Sequence, residues 1–384
     1  LILINGRRVV PTTNSLVLNA FDLNSIPLAA VERIEVLSDS ASAIYGADAM
    51  GRVINVMLKK DIPQRVLDVQ YGGVSGGADL LRASFSAGYQ TERLRSSVIF
   101  DYLRRDFLLG AQRALWRNQD YTRYGGEDYR SAAGVPGTVS SLSGDNLPGL
   151  SSSFAMVPQG SSGIGLTPQD FLATAGVRNR TNTLSTLSIV PSAEQRSVAV
   201  FGEYDLTPDL MAFAEVLYTN RRVISQEGFY PVQGALVPAE NPFNPFHQPV
   251  LVDFILDGLE SPRFEHDMDW VRGAFGLRGW LNSRWQWEVA AIASTETDDA
   301  LSTVDVSAGR LDAALAERDP ARALNPFVDG PAGSGDLLAS LIDPERSRHW
   351  SRGRQLSAFL QGELFNLPAG AVQAVVGGEW RDEE

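Results

Sequence analysis

The chain has no cysteine in 384 residues and only three histidines. The first absence excludes a disulfide scaffold and any thiolate metal site. The second, with His247, His266 and His349 scattered, excludes the H-x3-H and HExxH spacings of a metal centre. No apolar run approaches the ~18–20 residues of a transmembrane helix. Basic residues are the minority, 33 Lys and Arg against 46 Asp and Glu, for a net charge of −13. That balance argues against nucleic acid, whose phosphates require a basic surface. There is no Walker loop, and Ser-rich 150–162 lacks the strand–GxSxG–helix context of a hydrolase. The carboxylate pairs Asp298-Asp299 and Asp382-Glu383 fall at loop or chain ends, where they are simply solvated. Neither an enzyme nor a cofactor is read from this chain.

What is present is 44% hydrophobic residue, distributed in alternation rather than in blocks. A helical membrane protein is thereby excluded, but a barrel spans with strands of about 9–11 alternating residues and needs no long run. The chain begins Leu-Ile-Leu-Ile and stops at Asp382-Glu383-Glu384 just after a strand-like run, so it reads as an internal fragment of a longer protein.

Residues 1–62 have their own pattern. Leu1–Ile4 and Arg7–Val10 flank Asn5-Gly6, a pair suited to the positive φ values of a type I′ hairpin turn. Asp22–Pro27 predicts a turn into one helical turn, with Ser25 as cap and Pro27 near its first position. Glu32–Leu37 alternates as a strand. Ser38–Ser40 caps a brief helix, Ala41–Tyr45, ended by Gly46. Arg52–Leu58 is a second strand, with Val53 opposite the Ile54, Val56 and Leu58 set. On pattern alone this is a small α+β domain. The order and spacing of Asp22–Pro27, Glu32-Arg33-Ile34-Glu35-Val36, Ala43-Ile44-Tyr45-Gly46 and Val53-Ile54-Asn55-Val56 resemble the plug domain of TonB-dependent outer-membrane receptors. Arg33, Glu35, Tyr45, Gly46, Gly51 and Asn55 carry the signature. Ser38-Asp39-Ser40 and Arg52 depart from it, which puts the usual plug-to-wall ion pair at the first position in doubt.

Beyond residue 62, about nine segments alternate with period two, as half-lipid, half-lumen strands do. Val198-Val200-Gly202-Tyr204 is one example, and Gly273-Phe275-Leu277-Gly279, opposed by Arg272 and Arg278, is another. Their connections alternate in length. Residues 91–94, 206–209, 281–284 and 366–370 are short turns, whereas 106–193, 226–264 and 300–351 read as long irregular loops. Tight periplasmic turns and long extracellular loops have that asymmetry in outer-membrane barrels. Tyr204, Trp280, Trp285, Trp287, Phe365 and Trp380 sit beside the short turns, as an interfacial aromatic girdle would. The fold class expected is mainly β: an incomplete antiparallel transmembrane barrel wall over 63–384, preceded by the C-terminal part of a plug over 1–62. The wall falls short of the ~22 strands of such transporters, in keeping with a fragment.

Two sets of residues are candidates for function. Inward charges Glu203, Glu215, Arg272, Arg278, Glu288 and Glu363 either pair with plug Arg33, Glu35 or Arg52, or line a hydrated lumen. In the first long loop, Trp116, Tyr121, Tyr124 and Tyr129 either stack on a ligand or pack on one another. The Asn-Pro-Phe repeats at 241–246 and 325–327 read as structural turns.

The resemblance implies a receptor in the bacterial outer membrane. It would bind a scarce ligand at its loops and release it inward when TonB, engaging a box outside this chain, pulls on the plug. A ferric siderophore is the first expected cargo; oligosaccharide, peptide and cobalamin are alternatives, and any iron would arrive already chelated. A passive porin-like barrel and a secreted β-rich binding protein are the competing classes, though the porin leaves residues 1–62 without a role.

Overall fold

A computed structural model describes residues 1–10, 21–37, 53–282, 284–368 and 370–384. The expected cap at Ser38–Ser40, the helix Ala41–Tyr45 and the positions Tyr45, Gly46, Gly51 and Arg52 lie outside the described residues.

The N-terminal part is a four-stranded sheet of order β2-β1-β4-β3, from β1 (Ile2–Ile4), β2 (Arg7–Arg8), β3 (Val31–Leu37) and β4 (Val53–Leu58). Asn5 and Gly6, at φ 50° and 80°, turn β1 into β2. β1 runs parallel to β4, while β3 pairs with β4 antiparallel. The helical turn Leu23–Ser25 is capped by Asp22, whose carboxylate accepts from the Asn24 amide, and not by Ser25. Asp22 has the longer-reaching acceptor, and Ser25 is itself the last residue of the turn. Pro27 instead precedes a second 3-10 turn, Leu28–Ala30.

One antiparallel sheet forms the rest of the frame. It opens with β5 (Val66–Val74), β6 (Gly77–Gln90) and β7 (Leu94–Arg105). The first long connection then holds four short strands, β8 (Leu108–Leu109), β9 (Thr138–Ser141), β10 (Phe154–Met156) and β11 (Ser188–Val190). The wall resumes with β12 (Ser192–Thr207) and β13 (Leu210–Gln226). The second connection holds β14 (Pro231–Val237) and β15 (Val250–Ile255), and is followed by β16 (Arg263–Leu281) and β17 (Trp285–Ser302). The third holds two helices, Ala308–Ala316 and Gly335–Leu341, before β18 (Glu345–Leu367) and β19 (Gly370–Glu383). The nine wall strands stand in the order β19-β18-β17-β16-β13-β12-β7-β6-β5. No helix among the described residues is long and apolar enough to cross a membrane.

Register carries the sidedness across the whole wall. Val98, Val200, Val216, Gly273, Ala293 and Arg354 form one continuous row. Val200 is 43% exposed on the outer face, whereas its neighbour Ala199 is fully buried against the N-terminal sheet. Ile4, Phe21, Ile26, Ala30, Val56 and Leu58 share a core with Ile99, Ala199, Phe201, Leu217 and Trp270 of the wall. A soluble sandwich buries its apolar face and exposes its charges. Here Phe275, Leu277, Val289 and Leu356 point outward, while Glu215, Arg272 and Glu288 point in. Tyr204, Trp280 and Phe365 are exposed at the short-turn end. Trp380 is not at that end, because it pairs with Leu356 farther along the wall.

The long connections are irregular over much of their length but also carry short strands and helices. β10, β9, β15 and β14 form a four-stranded sheet drawn from two of them. Its core joins Val139, Leu147 and Phe171 from the first, Val237, Phe246 and Phe254 from the second, and Leu315, Phe327 and Leu338 from the third. The core draws on all three segments at once, so periodicity within one segment gives no sign of it. The Asn-Pro-Phe repeats serve it as turns. Asn241, Asn244 and Asn325 each accept, through the side-chain oxygen, from the amide two residues on, at 3.0, 3.0 and 3.1 Å. Phe246 and Phe327 are thereby delivered into the core.

Candidate site at the plug–wall contact and on the apical loops

The hairpin β1–β2 presents Arg7 to the inner face of the wall. The Asn-Gly turn brings it there, and Asn55 holds the turn by accepting from the Gly6 amide at 2.9 Å. Arg7 donates from Nη2 and Nε to Glu288 Oε1 at 2.6 and 3.1 Å, and from Nη1 to Glu215 Oε1 at 3.3 Å. Its guanidinium also lies over the Phe213 ring at 4.5 Å. Glu215, only 2% exposed, takes Lys60 Nζ at 2.9 Å and Asn5 Nδ2 at 3.2 Å as well. Below it, Glu203 binds Arg278 at 2.5 Å and Arg95 at 3.3 Å, and Arg95 reaches on to Asp205 at 3.1 Å.

Arg272 stands apart from this network. It is 1% exposed, and none of its guanidinium nitrogens makes a hydrogen bond. Its Nη1 lies 3.9 Å from Glu215 Oε2, an oxygen that also makes no hydrogen bond. The Coulomb attraction is present, but the directional bonds are not, an expensive arrangement for a buried charge.

The expected plug partners are different residues. Arg33 bonds Glu32 and Glu35 along its own strand, and Glu35 also accepts from Asn55 Nδ2 at 3.2 Å. Both are about half exposed, on the face of β3 away from the core, so their pairing with the wall is corrected to Arg7 and Lys60. Glu363 is likewise corrected: its bond is from Gln373 of the neighbouring strand, on the exposed end of β18. Two further links were not foreseen. Asp22 pairs with Arg221, and Thr219 Oγ1 donates to the Ser25 carbonyl at 2.8 Å. The available signals were an arginine directly after an Asn-Gly turn and the lysine pair closing β4. Neither encodes a partner some two hundred positions away.

Trp116, Tyr121, Tyr124 and Tyr129 all lie on the first long connection. Tyr121 and Tyr129 rings lie 6.1 Å apart, Tyr121 Oη donates to the Leu115 carbonyl, and Arg123 stacks on Tyr124 at 4.5 Å. Beside them, Arg130 grips Asp128 through Nε and Nη2 at 2.9 and 2.8 Å. This charge-assisted fork holds the Asp128 carboxyl down at about 2. Tyr124 and Tyr129 remain exposed, so loop packing and an outward aromatic surface coexist.

Residues 1–53 match the family described as the TonB-dependent receptor plug domain. Over 88 residues the chain is 38% identical to the vitamin B12 transporter of Photobacterium profundum, an overlap of 23% of this chain and 14% of that protein. The whole chain also aligns with 41% of the ferric enterobactin receptor of Pseudomonas aeruginosa, at 16% identity and a TM-score of 0.47. With the ferric preacinetobactin receptor of Acinetobacter baumannii the values are 50% of that chain, 13% identity and 0.44.

Proposed function

We propose, from the premise that residues 1–53 belong to the TonB-dependent receptor plug family, that the whole protein is an outer-membrane receptor driving active uptake of a chelated metal. The plug extends over 1–62 and the barrel wall begins at 63. The observation that supports this most directly is Arg7, inserted from the plug hairpin between Glu215 and Glu288 of a wall that is apolar outside and charged inside. Withdrawing Arg7 from Glu215 and Glu288 would leave uncompensated buried charge, a cost of about 3–5 kcal/mol, so displacing the hairpin would require work. TonB would supply that pull. The shared core of the long connections would form the extracellular end, and the Trp116, Tyr121, Tyr124 and Tyr129 surface would meet the ligand. A polar chelate with flat organic rings suits stacking on such residues.

A ferric siderophore is the cargo proposed. Cobalamin is the second reading, favoured by the 38% identity to a vitamin B12 transporter. The test uses the complete gene in a deletion strain, with and without tonB, and labelled ferric siderophores or cobalamin. Accumulation that needs both the gene and tonB is expected. Uptake that continues without tonB would make the protein a passive pore.

A further inference from the structure

The two oxygens of the Glu215 carboxylate have different neighbours. Oε1 takes three donors, Arg7 Nη1 at 3.3 Å, Lys60 Nζ at 2.9 Å and Asn5 Nδ2 at 3.2 Å. All three lie before residue 62, on the plug side. Oε2 makes no hydrogen bond among the described residues, and Arg272 Nη1 stands 3.9 Å from it. Arg272 belongs to the wall, as Glu215 does. β13 and β16 pair Glu215 with Ala274 and Leu217 with Arg272, so the two charges point inward from neighbouring strands, one inward row apart.

A buried guanidinium without a single directional bond is costly, and its persistence needs a physical reason. Confinement supplies one. Arg272 lines a cavity of about 10 Å3 that Arg8, Val9 and Val10 close against Trp270 and Ile292 of the wall. That space is too small for a side chain to swing through. Arg7, seated on Oε1, also repels a second cation that approaches the same carboxylate. Arg272 is therefore held within the field of Glu215 but short of bonding it. The residues that confine it and the cation that competes with it belong to one segment, the plug hairpin and its continuation.

We infer that Arg272 is the wall's reserve partner for Glu215. When the hairpin withdraws, the guanidinium moves in by about 1 Å, to ordinary hydrogen-bond distance, and takes the carboxylate that Arg7 and Asn5 release. The displaced state then gains directional bonds that the resting state lacks, which lowers the work of displacement at Glu215. Glu288 is treated differently, because Arg7 is its one ion-pair partner among the described residues. One carboxylate resists the departure of Arg7, and the other is passed on. This role rests on the displaced plug of the transport reading above.

Hydrogen exchange on the full-length receptor in lipid vesicles tests the handover. The probes are the Asn5 and Gly6 amides, which donate to the Val56 carbonyl and the Asn55 side chain and are released when the hairpin parts from β4. Arg272→Met removes the reserve partner and leaves every hydrogen bond of the resting hairpin in place. Exchange at both amides should slow about tenfold, the worth of one charged hydrogen bond lost from the open state. An Arg272 that merely supports the resting structure gives the opposite sign. In a Glu215→Gln background there is no charge to pass on, so adding Arg272→Met should change exchange by less than about twofold. Unchanged or faster exchange in Arg272→Met would overturn the handover. Slowing that persists in full beside Glu215→Gln would overturn it too, since it would report only the repulsion between Arg7 and Arg272. The transport reading fails by a different result, accumulation that continues without tonB.

Discussion

Arg7 and Glu288, 281 positions apart, are joined by two donors converging on one carboxylate oxygen, Nη2 at 2.6 Å and Nε at 3.1 Å. Arg7 is also the cation that Glu288 and Glu215 share. Replacing it with methionine leaves two inward carboxylates short of charge, a cost of about 3–5 kcal/mol. In the full-length protein, Arg7→Met should therefore speed protease cleavage and amide exchange within residues 1–10. Unchanged exchange there would show that the apolar contacts alone seat the plug.

The two faces of the wall should respond oppositely to charge. Val200→Arg or Leu277→Arg, on the outer face, should cost about 2–4 kcal/mol near the midplane of a bilayer. Ser84→Arg or Gln286→Arg should be tolerated, because those positions face inward, level with Asp101 and beside Gln361. Unfolding titrations in lipid vesicles read the difference directly. Equal losses on both faces would refute the sidedness.

Asn241 ties two of the long connections together. Its Nδ2 donates to the Leu315 and Leu324 carbonyls at 2.8 and 3.1 Å, both from the third connection. Asn241→Leu orphans those carbonyls and the Phe243 amide, for about 2–4 kcal/mol. Phe327→Ala empties the core centre for about 3–5 kcal/mol. Both should raise proteolysis in all three connections together, not only in the mutated one.

Asp128 gives the apical loop an acid limit. Arg130 holds its carboxyl at about 2, below the usual 3.8. A depressed acid contributes order above its ordinary value, and that contribution fades as the pH falls toward the folded one. Near-ultraviolet dichroism from Tyr121 and Tyr129 should therefore decline between about pH 4 and pH 2. Asp128→Asn should show the weakened signal already at neutral pH.

What could be read from the chain follows the range of the physics involved. Outward Val200 and inward Glu215 were legible because a strand repeats every two residues and one buried face fixes the phase. The Asn-Pro-Phe turns were legible because each closes within three residues. Arg7 was not, since its partners depend on where a hairpin lands inside a wall built much later in the chain. Glu35 resembled a lock residue by motif, but β3 turns it away from the wall. The apical core was hidden for a related reason: Val139, Phe246 and Phe327 make sense only together, and no local window contains two of them.

That shared core changes what counts as a part in this protein. Surface loops elsewhere are exchanged, lengthened or tagged one at a time, because each answers only to its own two ends. Here a transplant of 226–264 alone would arrive with Phe246 and Phe254 bared and leave Phe171 and Leu315 uncovered in the donor. Chimeras that exchange these connections must therefore carry all three segments as one graft. Natural drift in any of them is answerable to the other two.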